Sequence, residues 1–292
     1  MMKNSEILYI YDAKLSNPNG DPDEENRPRM DYEREINLVS DLRLKRYVRD
    51  YLMDKGYSLF VQGIDDKPVT AEQRIKALES NDTDTILDKL IDVRMFGATI
   101  PFKGDNKNFT GPIQFNWGYS LNKVELLETS ITSHFTSKEG NNQGSIGKDY
   151  RVKYSFIAFS GVISGKRAEK VKLSEEDVNL LDKAMRYAIP EQCTRSKIGQ
   201  HPRLYMRVQY KDDETILGDM RDYIKFQQEE ESIRDIKECA LDVTELRNFL
   251  VKNAERIEAM YYFYDDKLEL QVNGEKATFN EAFGDFTLVE VK

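Results

Sequence analysis

The chain has 292 residues, 39% of them hydrophobic, and a formal net charge of -9. That is enough apolar material for one large domain with insertions, and no apolar run approaches the roughly 20 residues a membrane-crossing helix needs. The opening MMKNSEILYIYDAK lacks the basic-then-apolar order of a secretory leader, and Cys193 and Cys239 have no spacing that suits zinc or a disulfide frame, so a cytoplasmic globular protein with reduced thiols is expected.

SEILYIYDA (5–13) is rich in strand-favouring types and predicts a buried strand, followed by a long loop through the glycine and prolines of SNPNGDPDEENRP. A helix is expected from about Asp41 to Lys55, capped by Ser40 and stopped at Gly56, whose freedom at positive φ suits a helix end. LFVQG (59–63) reads as a short strand, AEQRIKALES and DTILDKLIDV as two short amphipathic helices, and RMFGATIPFKG as turn-rich chain. From Gly111 the pattern turns to strands, PIQFNWGYSL and VELLETSITSHFTS, broken by the polar tip KEGNNQGSIGK. YRVKYSFIAFSGVI (150–163) is the most strand-like run of the chain. It leads into a helix with Ser174 and Asp177 as its cap signature and Val178, Leu181, Met185 and Ala188 at helical spacing. RLYMRVQY (203–210) alternates as a strand, a helix is expected near 243–260, and Asn273-Gly274 marks a hairpin turn. The order fits an α+β sandwich, a ferredoxin-like plan shared by many binders of single-stranded RNA.

The net charge hides an uneven distribution. Residues 212–292 hold 10 basic against 21 acidic side chains, a balance of -11 that leaves 1–211 at +2. Basic clusters occupy 27–49, 140–172 and 186–211, and together they point to an anionic partner. On the first helix Leu44, Tyr47, Val48 and Tyr51 share one arc, while Arg43, Lys45, Arg46 and Arg49 occupy the other. Cations are better placed near a helix C-terminus. In the first turns they cost some stability, yet there they flank free N–H groups where a phosphate would be held.

The stretches NPNGDPDEENRPRMD, VSDLRLKRYVRDYL, RMFGA, TGPIQF leading to ITSHFT, YRVKYSFIAFSGVIS and SEEDVNLLDKAM, in that order across about residues 5–210, resemble the Cas-seven family of the RAMP superfamily, most closely its type I-B form. The resemblance implies a non-catalytic backbone subunit of a CRISPR Cascade complex that stacks head to tail on crRNA and meets target DNA through the guide. It implies a right-hand shape: an RRM-like palm from 1–56 and 150–211, a finger-like insertion at 57–110, a thumb hairpin at 111–149, and an acidic part at 212–292 completing or flanking the palm. Other Cascade subunits would be partners, and neither a membrane nor a cofactor is implied.

Because a guide of arbitrary sequence must be held without being read, phosphate contacts suit it. On the resemblance Ser40, Arg43, Lys45, Arg46 and Arg49 grip the backbone, with Asn17, Asn19, Arg27 and Arg29 of the first loop, Lys148 and Arg151 at the thumb base, and a second strip at Arg195 and Lys197. Phe115, Trp117, Phe135 and Met95 are candidates to wedge against bases, each with core packing as the bland alternative. Two other classes remain open. Asp21, Asp23, Glu24 and Glu25 raise a metal-dependent ribonuclease, against which DPDEEN lacks calcium-loop spacing and the two histidines, His134 and His201, stand far apart. The third is a monomeric single-stranded RNA-binding module.

Overall fold

A computed structural model describes residues 2–65, 67–78, 82–102, 105–132 and 146–292. Strand β1 (Ser5–Ser16) runs three residues past the sequence expectation and is buried from Ser5 to Ala13, the mark of a strand covered on both faces. Ile7, Tyr9, Tyr11 and Ala13 pack into one core and Leu8 and Ile10 into another, so the period-2 alternation divides two cores. Three two-residue strands, β2 (Gly20–Asp21), β3 (Arg27–Pro28) and β4 (Met30–Asp31), shape the following loop, and β5 (Ile36–Val39) leads to the first helix.

Helix α1 (Asp41–Asp54) begins at Ser40, which is extended at φ -69 and ψ 151 and whose side chain accepts from the Arg43 amide. Such a cap contributes about 1 kcal/mol. Gly56, at φ 87, takes the left-handed position beyond the other end. The buried face carries Leu44, Tyr47, Val48 and Tyr51 as the wheel predicts, and Lys45 and Leu52 in addition.

The next stretch forms α2 (Ala71–Lys76), α3 (Thr83–Lys89), α4 (Ile91–Phe96) and a hairpin of β6 (Gly97–Phe102) and β7 (Asp105–Thr110). Two expectations need correction. The strand at 59–63 does not form, because the Phe60 and Val61 amides donate to the Asp92 carboxylate instead of to a strand. RMFGATIPFKG is no loop: it closes α4 and supplies β6.

The single hairpin drawn across 111–149 is also revised. β8 (Ile113–Phe115) and β9 (Gly118–Ser120) pair with β11 (Ile146–Ile163) inside the main sheet, and the hairpin proper is β10 (Leu126–Thr132) against the first residues of β11. The glycine-rich tip at 138–145 lies outside the described residues. After β11 come α5 (Gly165–Lys170), α6 (Glu175–Tyr187), whose Ser174 and Asp177 form a capping box, and β12 (Gln200–Tyr210).

The acidic remainder contains β13 (Lys225–Gln228), β14 (Cys239–Asp242), α7 (Thr244–Lys252), β15 (Ile257–Tyr264), β16 (Glu269–Val272), β17 (Glu275–Ala277), α8 (Phe279–Phe283) and β18 (Leu288–Glu290). The helix expected over 243–260 therefore stops at Lys252, since the β-branched and aromatic run from Ile257 to Tyr264 pairs with β12. Asn273 and Gly274, at φ 55 and 78, make the predicted tight turn.

The main sheet has the order β18-β15-β12-β1-β11-β9-β5-β4, with β8 and β10 also on β11. β1 is antiparallel to both neighbours. Helices α1, α4 and α6 cover one face. The other face is closed by the acidic part, whose own sheet runs β13-β14-β16-β17. Aromatics on both faces of the sheet are covered, Tyr9, Tyr11, Tyr205 and Phe159 on the helix side and Phe156 under the acidic part, and all are essentially inaccessible. A buried pair, Arg207 to Asp182 at 2.6 Å, ties β12 to α6. No described helix is long and apolar enough to cross a membrane.

Candidate nucleic-acid interface

The first turn of α1, the loop leaving β1 and the segment before β12 meet where the central strands end. Asn19 Oδ1 accepts from both the Ser40 amide at 2.8 Å and the Ser40 hydroxyl at 3.0 Å, while Ser40 Oγ accepts from the Arg43 amide at 3.2 Å. Asn17 is 2% exposed and donates to the Asn26 carbonyl at 2.7 Å. Ser40, Asn17 and Asn19 therefore build the helix entrance, and their side chains are largely engaged in doing so.

Lys197 reaches into the same entrance, where its ammonium donates to the carbonyl oxygens of Asn17 at 2.5 Å and Pro18 at 3.4 Å. Arg43 lies with its guanidinium 4.1 Å above the centre of the Tyr47 ring, and the single Tyr47 hydroxyl proton is shared between the Pro18 carbonyl at 3.3 Å and Gln200 Oε1 at 3.2 Å. Neither cation has an acidic partner among the described residues. Burial, followed by the Arg43 charge, lowers the Lys197 ammonium to about 7. Arg43 Nε and Asn17 Oδ1 are buried with no hydrogen-bond partner.

The other cations of α1 divide. Arg46 projects into solvent, its side chain 49% exposed and paired with Asp50 at 2.7 Å. Lys45 and Arg49, expected to grip phosphate, are engaged within the fold. Lys45 is buried between Asp41 at 3.1 Å and Gln114 at 2.8 Å. Arg49 binds Asp92 at 3.0 Å and lies over the Phe96 ring at 5.1 Å. Asp92 is 1% exposed and also accepts from Phe60 and Val61, so Arg49 neutralises a buried carboxylate that pins residues 59–61 and α4 to α1. The helical wheel placed both on a polar face, and the insertion packs over that face.

At the hairpin base the basic residues sit in mixed-charge networks. Arg27 donates to the Tyr150 hydroxyl at 3.1 Å, that hydroxyl donates to Glu25 at 2.7 Å, and Lys148 lies 3.4 Å from Glu128. Arg29 is paired with Asp21 at 2.6 Å. Arg151 binds Asp149 at 2.7 Å and donates to the Leu15 carbonyl at 2.8 Å, and Arg195, 60% exposed, reaches the same Asp149 at 3.2 Å. Burial pushes the Asp149 carboxyl up, but the two guanidiniums outweigh it and hold the group below its usual range.

Of the wedge candidates, Phe115 at 7% and Met95 at 0% exposure are core residues, because β8 and α4 turn them inward. Phe135 lies outside the described residues. Trp117 is 44% exposed. It borders a groove of about 280 Å³ with Tyr32, Arg27, Arg29 and Met30. Tyr32, 66% exposed, is a surface aromatic that the sequence reading missed; its position between charged residues in a turn-rich stretch was the available signal.

Of the acids weighed for metal binding, Asp21 is engaged with Arg29 and the Asp23 amide and Glu25 with Tyr150, while Asp23 and Glu24 are exposed. Among the described residues no group of three His, Cys, Asp or Glu side chains could hold a metal ion. Cys193 is exposed, whereas Cys239 is buried. Desolvation first, then the nearby Asp12 charge, pushes the Cys239 thiol up to about 12.

Comparison with known proteins agrees with this architecture. The sequence model of a family described as CRISPR-associated protein Cas7 matches residues 3–244. A curated CRISPR-associated protein Cas7 from Haloferax volcanii is 35% identical over 313 aligned residues, covering 96% of this chain and 92% of that protein. A chain of a solved CRISPR RNA-guided surveillance complex in a pre-nicking state superimposes with a TM-score of 0.55 at 12% identity, covering 92% of this chain and 96% of that one. A chain from a second CRISPR RNA-guided surveillance complex gives 0.50 at 13%, covering 89% and 88%. At such identities the two structures bear on the fold alone.

Proposed function

The chain belongs to the CRISPR-associated Cas7 family, and from that premise we propose that it is a non-catalytic, crRNA-binding backbone subunit of a type I Cascade surveillance complex, of the I-B form. The sheet order β12-β1-β11-β9, with α1 and α6 on one face, supports reading residues 1–56 and 150–211 as a ferredoxin-like palm. On this reading 57–110 is the finger insertion, the hairpin within 111–149 is the thumb, and 212–292 is the palm's permanent cover. Copies stack head to tail along the guide in the cytoplasm, an open heterologous assembly, and target DNA pairs with the guide they display beside other Cascade subunits.

The observation that carries the reading is the Arg43–Lys197 pair: two half-buried cations without an acid, at a helix N-terminus, in a protein of net charge -9. A phosphate supplies the missing negative charge. Arg46 and Arg195 extend the strip on either side, and Arg27, Arg29, Lys148 and Arg151 follow at the hairpin base, with Trp117 and Tyr32 facing the strand. Ser40, Asn17 and Asn19 hold the entrance open.

The test is binding of unrelated single-stranded RNAs of about 40 nucleotides, long enough for several copies. Several copies per strand are expected, and Arg43→Ala should weaken binding by about tenfold on every sequence and reduce the salt slope by about one. One copy per strand would favour a monomeric module, magnesium-dependent cleavage would favour a ribonuclease, and unchanged affinity would remove Arg43 from the interface.

A further inference from the structure

Lys197 occupies an unusual electrostatic position even for a cationic groove. Its ammonium is held by two neutral carbonyls, and the charge facing it from α1 is another cation, Arg43. The carboxylates on the neighbouring elements are matched with other cations: Asp50 of α1 with Arg46, Asp21 of the β1 loop with Arg29, and Asp149 of β11 with Arg151 and with Arg195 of Lys197's own segment. From the start of β12 come neutral Gln200, which accepts from Tyr47, and His201, whose side chain is exposed. Desolvation and a like charge both favour the uncharged amine. Two further atoms in this entrance, Arg43 Nε and Asn17 Oδ1, are buried without partners, the first a donor to an anion and the second an acceptor for a protonated amine.

We propose that Lys197 is a proton-gated phosphate ligand: held by two carbonyls and faced by Arg43 with no acid of its own, it gains a proton when an RNA phosphate settles beside Arg43, so that guide binding takes up a proton and weakens as pH rises. The inference rests on the reading that RNA binds at this entrance. The step is a plain proton transfer from solvent to the amine, with no bond made or broken in the RNA. Its sign follows from linkage: the bound state holds the proton more tightly than the free state, so affinity is greatest below the free-state value near 7 and declines above it until the bound amine itself titrates. A lysine held in water or paired with a carboxylate would stay charged throughout and give no such dependence.

The experiment uses the full chain with a fluorescein-labelled single-stranded RNA, read by anisotropy at constant ionic strength. Wild type should bind about tenfold more weakly per site at pH 8 than at pH 6, the change expected for one group titrating near 7. Isothermal titration at pH 8 in two buffers of different ionisation enthalpy should show about one proton taken up per site. Lys197→Met removes the titrating group and Lys197→Arg keeps the charge permanently, so both profiles should be flat whatever their absolute affinities. Tight binding by wild type that is level across this range would overturn the proposal while leaving the RNA-binding reading in place. A slope that survives in both variants would assign the proton to another group and overturn it equally. If wild type fails to bind RNA even at the acidic end, the reading of the entrance as the RNA site falls first.

Discussion

Arg49→Ala separates a structural arginine from a phosphate contact. The Arg49 side chain is 12% exposed and Asp92 1%, so truncation strands a carboxylate in the interior. Removing one partner of a buried pair costs about 3–5 kcal/mol. The low end applies, because Asp92 retains the Phe60 amide at 2.6 Å and the Val61 amide at 3.2 Å. About 3 kcal/mol corresponds to a fall of about 6 °C in Tm for a domain of this size. Arg46→Ala is the control: its pair with Asp50 is half exposed on the helix surface, and such pairs contribute about 0.3–0.5 kcal/mol, so Tm should move by about 1 °C. Melting followed by far-UV circular dichroism gives both numbers, with RNA affinity measured below the transition. Arg49→Ala combined with Asp92→Asn should recover part of the loss. If Arg49→Ala melts like wild type and loses tenfold in RNA affinity, the assignment to the fold is wrong.

Arg207→Met should lower the urea midpoint through a loss of about 3–5 kcal/mol, because Asp182 would face Tyr205 without a cation, and adding Asp182→Asn should restore most of it; a double variant worse than the single would contradict the ion-pair account. Cys193 should react with a thiol reagent in the native protein at pH 8 while Cys239, buried and pushed up to about 12, reacts only after denaturation; equal native rates would refute that difference.

The elements legible in the sequence are those decided by their own residues. The cap at Ser40, the buried arc of α1, the capping box of α6 and the Asn273-Gly274 turn follow from local chemistry and periodicity. Elements decided by distant partners were not legible. Residues 257–264 follow a helix without a strong stop signal, and pairing with β12 makes them a strand. The fates of Lys45 and Arg49 depend on Gln114 and Asp92, 69 and 43 residues further on, which no helical wheel contains. In the site, the cluster on α1 was visible as charge, but which cations lack a carboxylate depends on contacts with 17–18 and 194–200 that only the fold assembles.

A protein of net charge -9 can hold a polyanion because its charge is divided by the sheet. The segment carrying -11 closes the face opposite α1 and α6, so the sheet lies between the two. Several of its acids are paired with cations of the N-terminal part at the junction, as in Lys14 with Asp235 and Lys3 with Glu258. The same cover buries Tyr154, Phe156 and Tyr210, aromatics on the sheet face opposite the helices, where an open RRM-like sheet would stack bases. What is left is a surface of cations, amides and carbonyls. On the proposed reading, a surface of that chemistry suits phosphate and sugar rather than base edges, so indifference to the guide's sequence would follow from how the acidic part folds back as directly as from the arginines themselves.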